Sequence, residues 1–401
     1  MSVSDIKHLK ELKSFLALKI KSFISNIGIG HLLLLFLSCS ATNEGMTMQT
    51  KIKNFTASME PGIEYVIVDS NKTLFKYSDG LADIKDQKSV TLQTTMSAFS
   101  MTKSITSIAI LQLAQDQKLN INDMVSKYVR HPYNQAITIE MLLTHTSGIP
   151  NPIPLSWTHL ASEVSEYDET KALKEVLEKH PNQKFKPNTD YLYSNIGYWL
   201  LGEVIKKVSG DTYKGYVQKK ILDPLGISAK EISFNIVNPA DHAKGYLKRF
   251  SLINLLKRFL LESKYFGAYE QGWLHLKDTY LNGPSFGGLI GTAVGFSKIL
   301  QDLLKTNSIL LKDKSHMYEK HVIANSEHID MTLTWHVSQN RLGTYYFKEG
   351  GGAGFHCEMR IYPEKGIASV VMVNRTSFKT KKFLDQQDAF FLDLKLQDKR
   401  D

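Results

Sequence analysis

The sequence predicts an α+β fold, in which an antiparallel sheet drawn from both chain ends forms an α/β sandwich and an all-helical subdomain is inserted between. Three observations predict it. Runs rich in β-branched and aromatic residues, separated by turn residues, gather near the start at 63–77 and again from 342 to 374. Between them, over roughly 120–310, apolar residues recur mainly at three- and four-residue spacing. A last helical pattern, 382–394, closes the chain behind the final strand run. With 401 residues, 42% of them hydrophobic, the chain can bury a sizeable core, which excludes a disordered or fibrous protein.

The first 38 residues read as an address. Lys7, Lys10, Lys13, Lys19 and Lys21 precede an apolar run at 32–37, which ends at Ser38-Cys39. A basic segment, an apolar segment and a small residue before a cut site describe a signal peptide, and the run is short for a membrane span. The Cys39 context resembles a bacterial lipoprotein box, which implies lipidation at Cys39 and an exported protein on the periplasmic side of the envelope, anchored to the membrane. An uncleaved anchor, simple secretion and a cytosolic chain are the alternatives. Residues 39–55, rich in Ser, Thr and Asn, read as a tether. One domain is then expected over 56–395.

Within that domain, 63–69 and 73–77 read as strands joined by a turn at Ser70-Asn71. Helical spacing starts near Ser100 and recurs at 140–143, 172–178, 198–208 and 296–304. Strand character returns at 342–347, 357–362 and 367–374, with a turn at 363–366. A seam between sheet and helical region is the expected place for a pocket. The formal charge of +9 is spread over scattered lysines. That is a solvated surface, or an attraction to an anionic membrane or wall polymer. No zinc-finger spacing or RNA-binding signature points to nucleic acid. Two cysteines, Cys39 and Cys357, make neither a metal site nor a disulfide framework, and Cys357 reads as a packed thiol.

Three short motifs carry chemistry. In Ser100-Met-Thr-Lys103 the spacing puts an ammonium on the serine's helix face. Serine is a weak nucleophile until a neighbour takes its proton, and a helix N-terminus favours the alkoxide. Alone the pattern also describes an N-capping serine beside a surface lysine, and Ser4-Asp-Ile-Lys7 repeats it. Tyr193-Ser-Asn195 offers a phenol, which can act as a base only beside cations, and an amide able to bond both Lys103 and a substrate. Tyr280-Leu-Asn282 has the same form. Lys348-Glu-Gly350 runs into Gly351-Gly-Ala-Gly-Phe355, where glycines admit close approach to the backbone. A glycine-rich hairpin with an exposed lysine is the bland alternative.

In this order the three motifs resemble the boxes of the penicillin-recognising serine enzymes, in the branch of class C β-lactamases, D-alanyl-D-alanine peptidases and related esterases. Connecting segments agree: Leu142-Leu-Thr-His-Thr-Ser-Gly-Ile-Pro150, 190–208, Asp223-Pro-Leu-Gly-Ile227 and the glycine-led stretch 287–304. The resemblance implies a β-lactamase/transpeptidase-like fold over nearly all of 55–395. It implies Ser100 as nucleophile, with Tyr193 and Lys103 taking its proton. Asn195, Lys348, Gly350 and Gly351 would bind substrate, the Ser100 and Gly351 amides holding the oxyanion. No metal or organic cofactor is implied. The partner would be a small-molecule or peptide acyl substrate, cell-wall peptide among them. The leading expectation is therefore a serine hydrolase acting on an amide, lactam or ester. A penicillin- or peptide-binding protein that acylates without turnover, and an inactive wall-binding lipoprotein, stand beside it.

Some residues depart from that pattern or compete with it. Glu349 stands where the family often has a hydroxyl that helps bind the lactam carboxylate, and an acid there would repel it. Residues 246–280 look like an enlarged insert whose Lys248, Arg249, Lys257 and Arg258 flank apolar residues. It reads as an amphipathic helix that packs on the core, closes as a lid or lies on a membrane. Gly283-Pro-Ser285-Phe-Gly287 matches a nucleophile elbow, but 271–280 supplies no buried strand before it. His145 is expected to frame the pocket rather than react, while His356 and Glu358 are candidates to face the cleft.

Overall fold

The structure, a computed structural model, describes residues 47–56, 61–152, 157–376 and 378–397; the expected leader, Cys39 and the Ser4–Lys7 imitation lie outside them. In chain order, helix α1 (Met48–Thr56) is followed by strands β1 (Ile63–Asp69) and β2 (Thr73–Asp79), then helices α2 (Thr102–Gln115) and α3 (Asn195–Ser209). An insert follows, with β3 (Gly245–Lys248), α4 (Leu252–Leu260), β4 (Phe266–Glu270) and β5 (Trp273–Leu276). Helix α5 (Ala293–Leu304), strands β6 (His336–Asn340), β7 (Gly343–Gly352), β8 (Phe355–Tyr362) and β9 (Ile367–Val373), and helix α6 (Thr380–Gln397) complete it. The main sheet has the order β6-β7-β8-β9-β1-β2, every pair antiparallel. Both chain ends build it, as the strand runs predict.

Period-two alternation gives this sheet two buried faces. Val66, Cys357, Met359, Val370 and Met372 join the large core shared with α2, α3 and α5. Their neighbours turn the other way, where Tyr345, Tyr362 and Ile367 pack beside Leu392 of α6. On that side the buried Asp388 carboxylate accepts from Tyr65 (2.5 Å), Ser369 (2.9 Å) and Tyr362 (3.0 Å), so its burial is compensated. The result is a helix–sheet–helix sandwich.

The middle of the chain is less purely helical than its spacing suggests. Residues 245–276 form a three-stranded sheet, β3-β5-β4, with α4 beside it, and 158–160 pairs with 279–281. Residues 48–55, expected within a tether, are helical instead. They belong to α1, whose Ile52 is fully buried and whose Phe55 ring meets Phe383 of α6 edge-on at 5.2 Å. Ile52→Ala is expected to cost about 2–5 kcal/mol, read as a lower thermal midpoint; a trailing tether would leave the midpoint unmoved.

Candidate active site

Ser100 lies in a single helical turn, Phe99–Met101, that leads into α2. The residue before it, Phe99, holds φ at 44°, a left-handed conformation unusual for a side chain of this size. Strand β7 presses on this turn. A Cβ on Gly350 would come 2.1 Å from the Ala98 carbonyl and 3.1 Å from the Ser100 nitrogen, so only glycine lets the strand pass there. The third box therefore sits on a strand, not in a hairpin tip, and strand alternation sets its directions. Lys348 and Gly350 share the core-side face with their partners Met359 and Cys357, towards Ser100.

The three boxes meet. Tyr193 donates its hydroxyl to Ser100 Oγ at 2.7 Å, and Lys103 Nζ lies 3.1 Å from the same oxygen. Lys103 also donates to Asn195 Oδ1 (2.7 Å) and to the Phe286 carbonyl (2.6 Å). Ser194 caps α3 by accepting from Gly197 N, which sets Asn195 on the first turn with its amide inward. Lys348 is fully buried; its Nζ lies 5.1 Å above the Tyr193 ring and makes no hydrogen bond within the described protein.

Burial dominates the electrostatics. It holds the Lys103 ammonium well below its usual range, and the nearby Lys348 charge lowers it further. It brings Lys348 down to about 7, with Glu349 pulling upward. It pushes the Tyr193 phenol above its usual value, a trend the Ser100 hydrogen bond opposes. The phenol therefore stays protonated at neutral pH, while the amine is readily freed.

Residues 52–392 match the family described as Beta-lactamase. The chain belongs to the Beta-lactamase family. Its members are serine hydrolases. The chain is 33% identical to protein flp of Staphylococcus aureus strain MRSA252 over 46% of its own length and 38% of flp, so it spans little more than a third of that relative. Its fold is that of the octameric penicillin-binding protein homologue from Pyrococcus abyssi, with TM-score 0.69 and 23% identity over 86% of this chain and 76% of the other. The D-amino acid amidase of Ochrobactrum anthropi SV3 shares it too, with TM-score 0.68 and 17% identity over 88% and 99%.

In this Beta-lactamase-family chain Ser100, Tyr193, Asn195 and Gly351 open on a cavity of about 350 Å³. Apolar side chains make most of its wall: Phe99, Leu281 and Phe286, with Leu261, Tyr265 and Leu276 from the insert. Lys103 and Lys348 stand behind that lining.

Other residues singled out in the sequence fall elsewhere. Glu358 does not face the cleft, because alternation turns it to the α6 side, where it pairs with Arg360. Glu349 and His356 share that face; the Glu349 carboxylate accepts from His356 Nε2 at 2.8 Å and from Thr380 at 3.4 Å. Ser285 is buried beside Gly202, away from the cavity lining, and Tyr280 and Asn282 bond Ile236 N and His159 instead of Ser100. Buried His145, at φ 60°, accepts the Ser194 amide through Nδ1 and so holds the second box in place. Sequence reasoning missed the Phe286 carbonyl on Lys103 and the Tyr191–His336 contact at 3.1 Å. The glycines around Phe286 were the available signal for the first, but they advertise Ser285 instead.

Proposed function

We propose that the protein is a serine acyl hydrolase working through an acyl-enzyme on Ser100, and that its substrates carry a bulky apolar group beside an ester or amide carbonyl. The observation that supports this most is the convergence on Ser100 Oγ of a protonated phenol and an easily neutralised amine, at the wall of an apolar cavity. As an ammonium, Lys103 donates to all three of its neighbours. As an amine it keeps two N–H groups for Asn195 and Phe286 and turns its lone pair to the Ser100 hydroxyl, which makes it the base.

The proton passes from Ser100 to Lys103 as Oγ attacks the carbonyl. Tyr193 donates to Oγ at rest and is placed to pass a proton to the departing group. The main-chain N–H groups of Ser100 and Gly351 take the oxyanion, a contribution of about 3–4 kcal/mol per donor. Water, activated by the same Lys103–Tyr193 pair, then releases the acyl group. Buried Lys348, without an acceptor in the described protein, would meet an anionic group of the substrate. Export with a lipid on Cys39 belongs to the same proposal and rests on the leader pattern alone; insensitivity of its processing to globomycin would remove it.

A fluorophosphonate probe tests the assignment. The native chain is expected to label on one serine, and Ser100→Ala to abolish the label while keeping the thermal midpoint. Undiminished labelling of that variant would sink the proposal. Label on a fluorescent penicillin that persists for hours would mark a protein that acylates without turnover.

A further inference from the structure

Helix α4 is built inside out. A helix lying on a small sheet ordinarily turns its apolar stripe inward. Among its described side chains the buried one is Asn254, 5% exposed, while Leu252 and Leu255 on the outer side are 71% and 76% exposed. Leu256 and Ile253 are exposed as well, and Phe250, just before the helix, is 89% exposed. The orientation is fixed by polar contacts. Asn254 donates to the Lys248 carbonyl (3.1 Å), and its Oδ1 accepts from Lys257 (2.8 Å) and Tyr269 (3.0 Å). Ser251 caps the helix through the Asn254 amide. Packing on the core, one expectation for this segment, is thereby ruled out for Leu252, Leu255 and Leu256.

Along 245–261 the charge has one sign. Lys248, Arg249 and Lys257 border this face, Arg249 lying 5.3 Å over the Tyr269 ring, and no acidic residue occurs from 245 to 261. Among the described residues no helix is long and apolar enough to cross a membrane, so this face can lie on a bilayer but not span it.

We infer that α4 docks the protein on an anionic lipid surface, inserting Phe250, Leu252 and Leu255 between headgroups while Lys248 and Arg249 meet lipid phosphates. Basic flanks around an outward apolar stripe are what such a surface selects. They also disfavour a second copy as the occupant, since a two-fold pair would set this basic patch against itself. Leu261, the cap of α4, and Tyr265 just beyond line the Ser100 cavity. Docking therefore sets this part of the cavity wall next to the lipid-bound helix. The inference does not depend on the hydrolase proposal.

Co-sedimentation of the full chain with phosphatidylcholine vesicles, with and without about 30% phosphatidylglycerol, tests it. The comparison is with L252S/L255S, which shares the whole N-terminal segment, so any affinity residing there cancels. The native chain is expected to bind the anionic vesicles at least about tenfold more tightly than the variant. Both should have the same thermal midpoint and the same fluorophosphonate labelling without vesicles, because neither leucine lines the cavity. Equal vesicle binding by the two chains would overturn the inference, and so would binding indifferent to phosphatidylglycerol. A native dimer in light scattering that the variant reduces to a monomer would overturn it in favour of self-association.

Discussion

Lys103→Met is expected to slow acylation of Ser100 by about 10²–10⁴-fold, the usual contribution of a positioned general base. Methionine keeps the length of the buried stem and removes only the nitrogen that touches Ser100 Oγ, Asn195 Oδ1 and the Phe286 carbonyl. The fold should tolerate it, because an amine held at zero exposure next to a second buried lysine is a costly group to keep. The rate of fluorophosphonate labelling and the thermal midpoint are read together: a slow reaction with an unchanged or higher midpoint is the expected pair. Labelling at the native rate would instead make Tyr193 the base and require an ionised phenol. Burial opposes that form.

The fold class was legible because sheet and helix periodicities do not overlap here. Strands β1 and β9 are rich in β-branched residues, β8 alternates apolar and polar residues, and α2, α3 and α5 carry apolar residues at helical spacing. The insert was not legible. The 252–260 pattern is amphipathic whichever way it faces, and only the Asn254 contacts settle which side is outward. Nor could composition show that residues 48–56 form a packed helix, since α1 is held by Phe378 and Phe383 from the far end of the chain. At the site, the ordered boxes fixed which side chains meet, because their chemistry is carried by residue type. A main-chain acceptor such as the Phe286 carbonyl has no residue type to read. The roles of Glu349 and Glu358 turned on register, which places them on the face opposite Lys348.

The largest change in pH behaviour is expected from Lys348→Met, because two buried cations share one site. Lys103 is held low first by burial and then by the Lys348 charge. Activity should rise with pH as Lys103 loses its proton. Deleting the second charge raises the Lys103 pKa and moves that rising limb to higher pH. Lys348 has a limb of its own. Its charge is present below about 7 and lost as pH rises through that value. A substrate whose carboxylate meets Lys348 should therefore lose kcat/KM above about 7, while a neutral ester should not. In the variant the carboxylate substrate is expected to fall about 10–100-fold at neutral pH, the usual loss for one charged hydrogen bond. Its alkaline limb should disappear as well. Profiles of kcat/KM for one neutral and one carboxylate-bearing ester, in both proteins, check each part separately. An unmoved rising limb would mean that Lys103 and Lys348 do not interact. A carboxylate substrate that loses nothing would mean that Lys348 serves the Tyr193 ring and not the substrate.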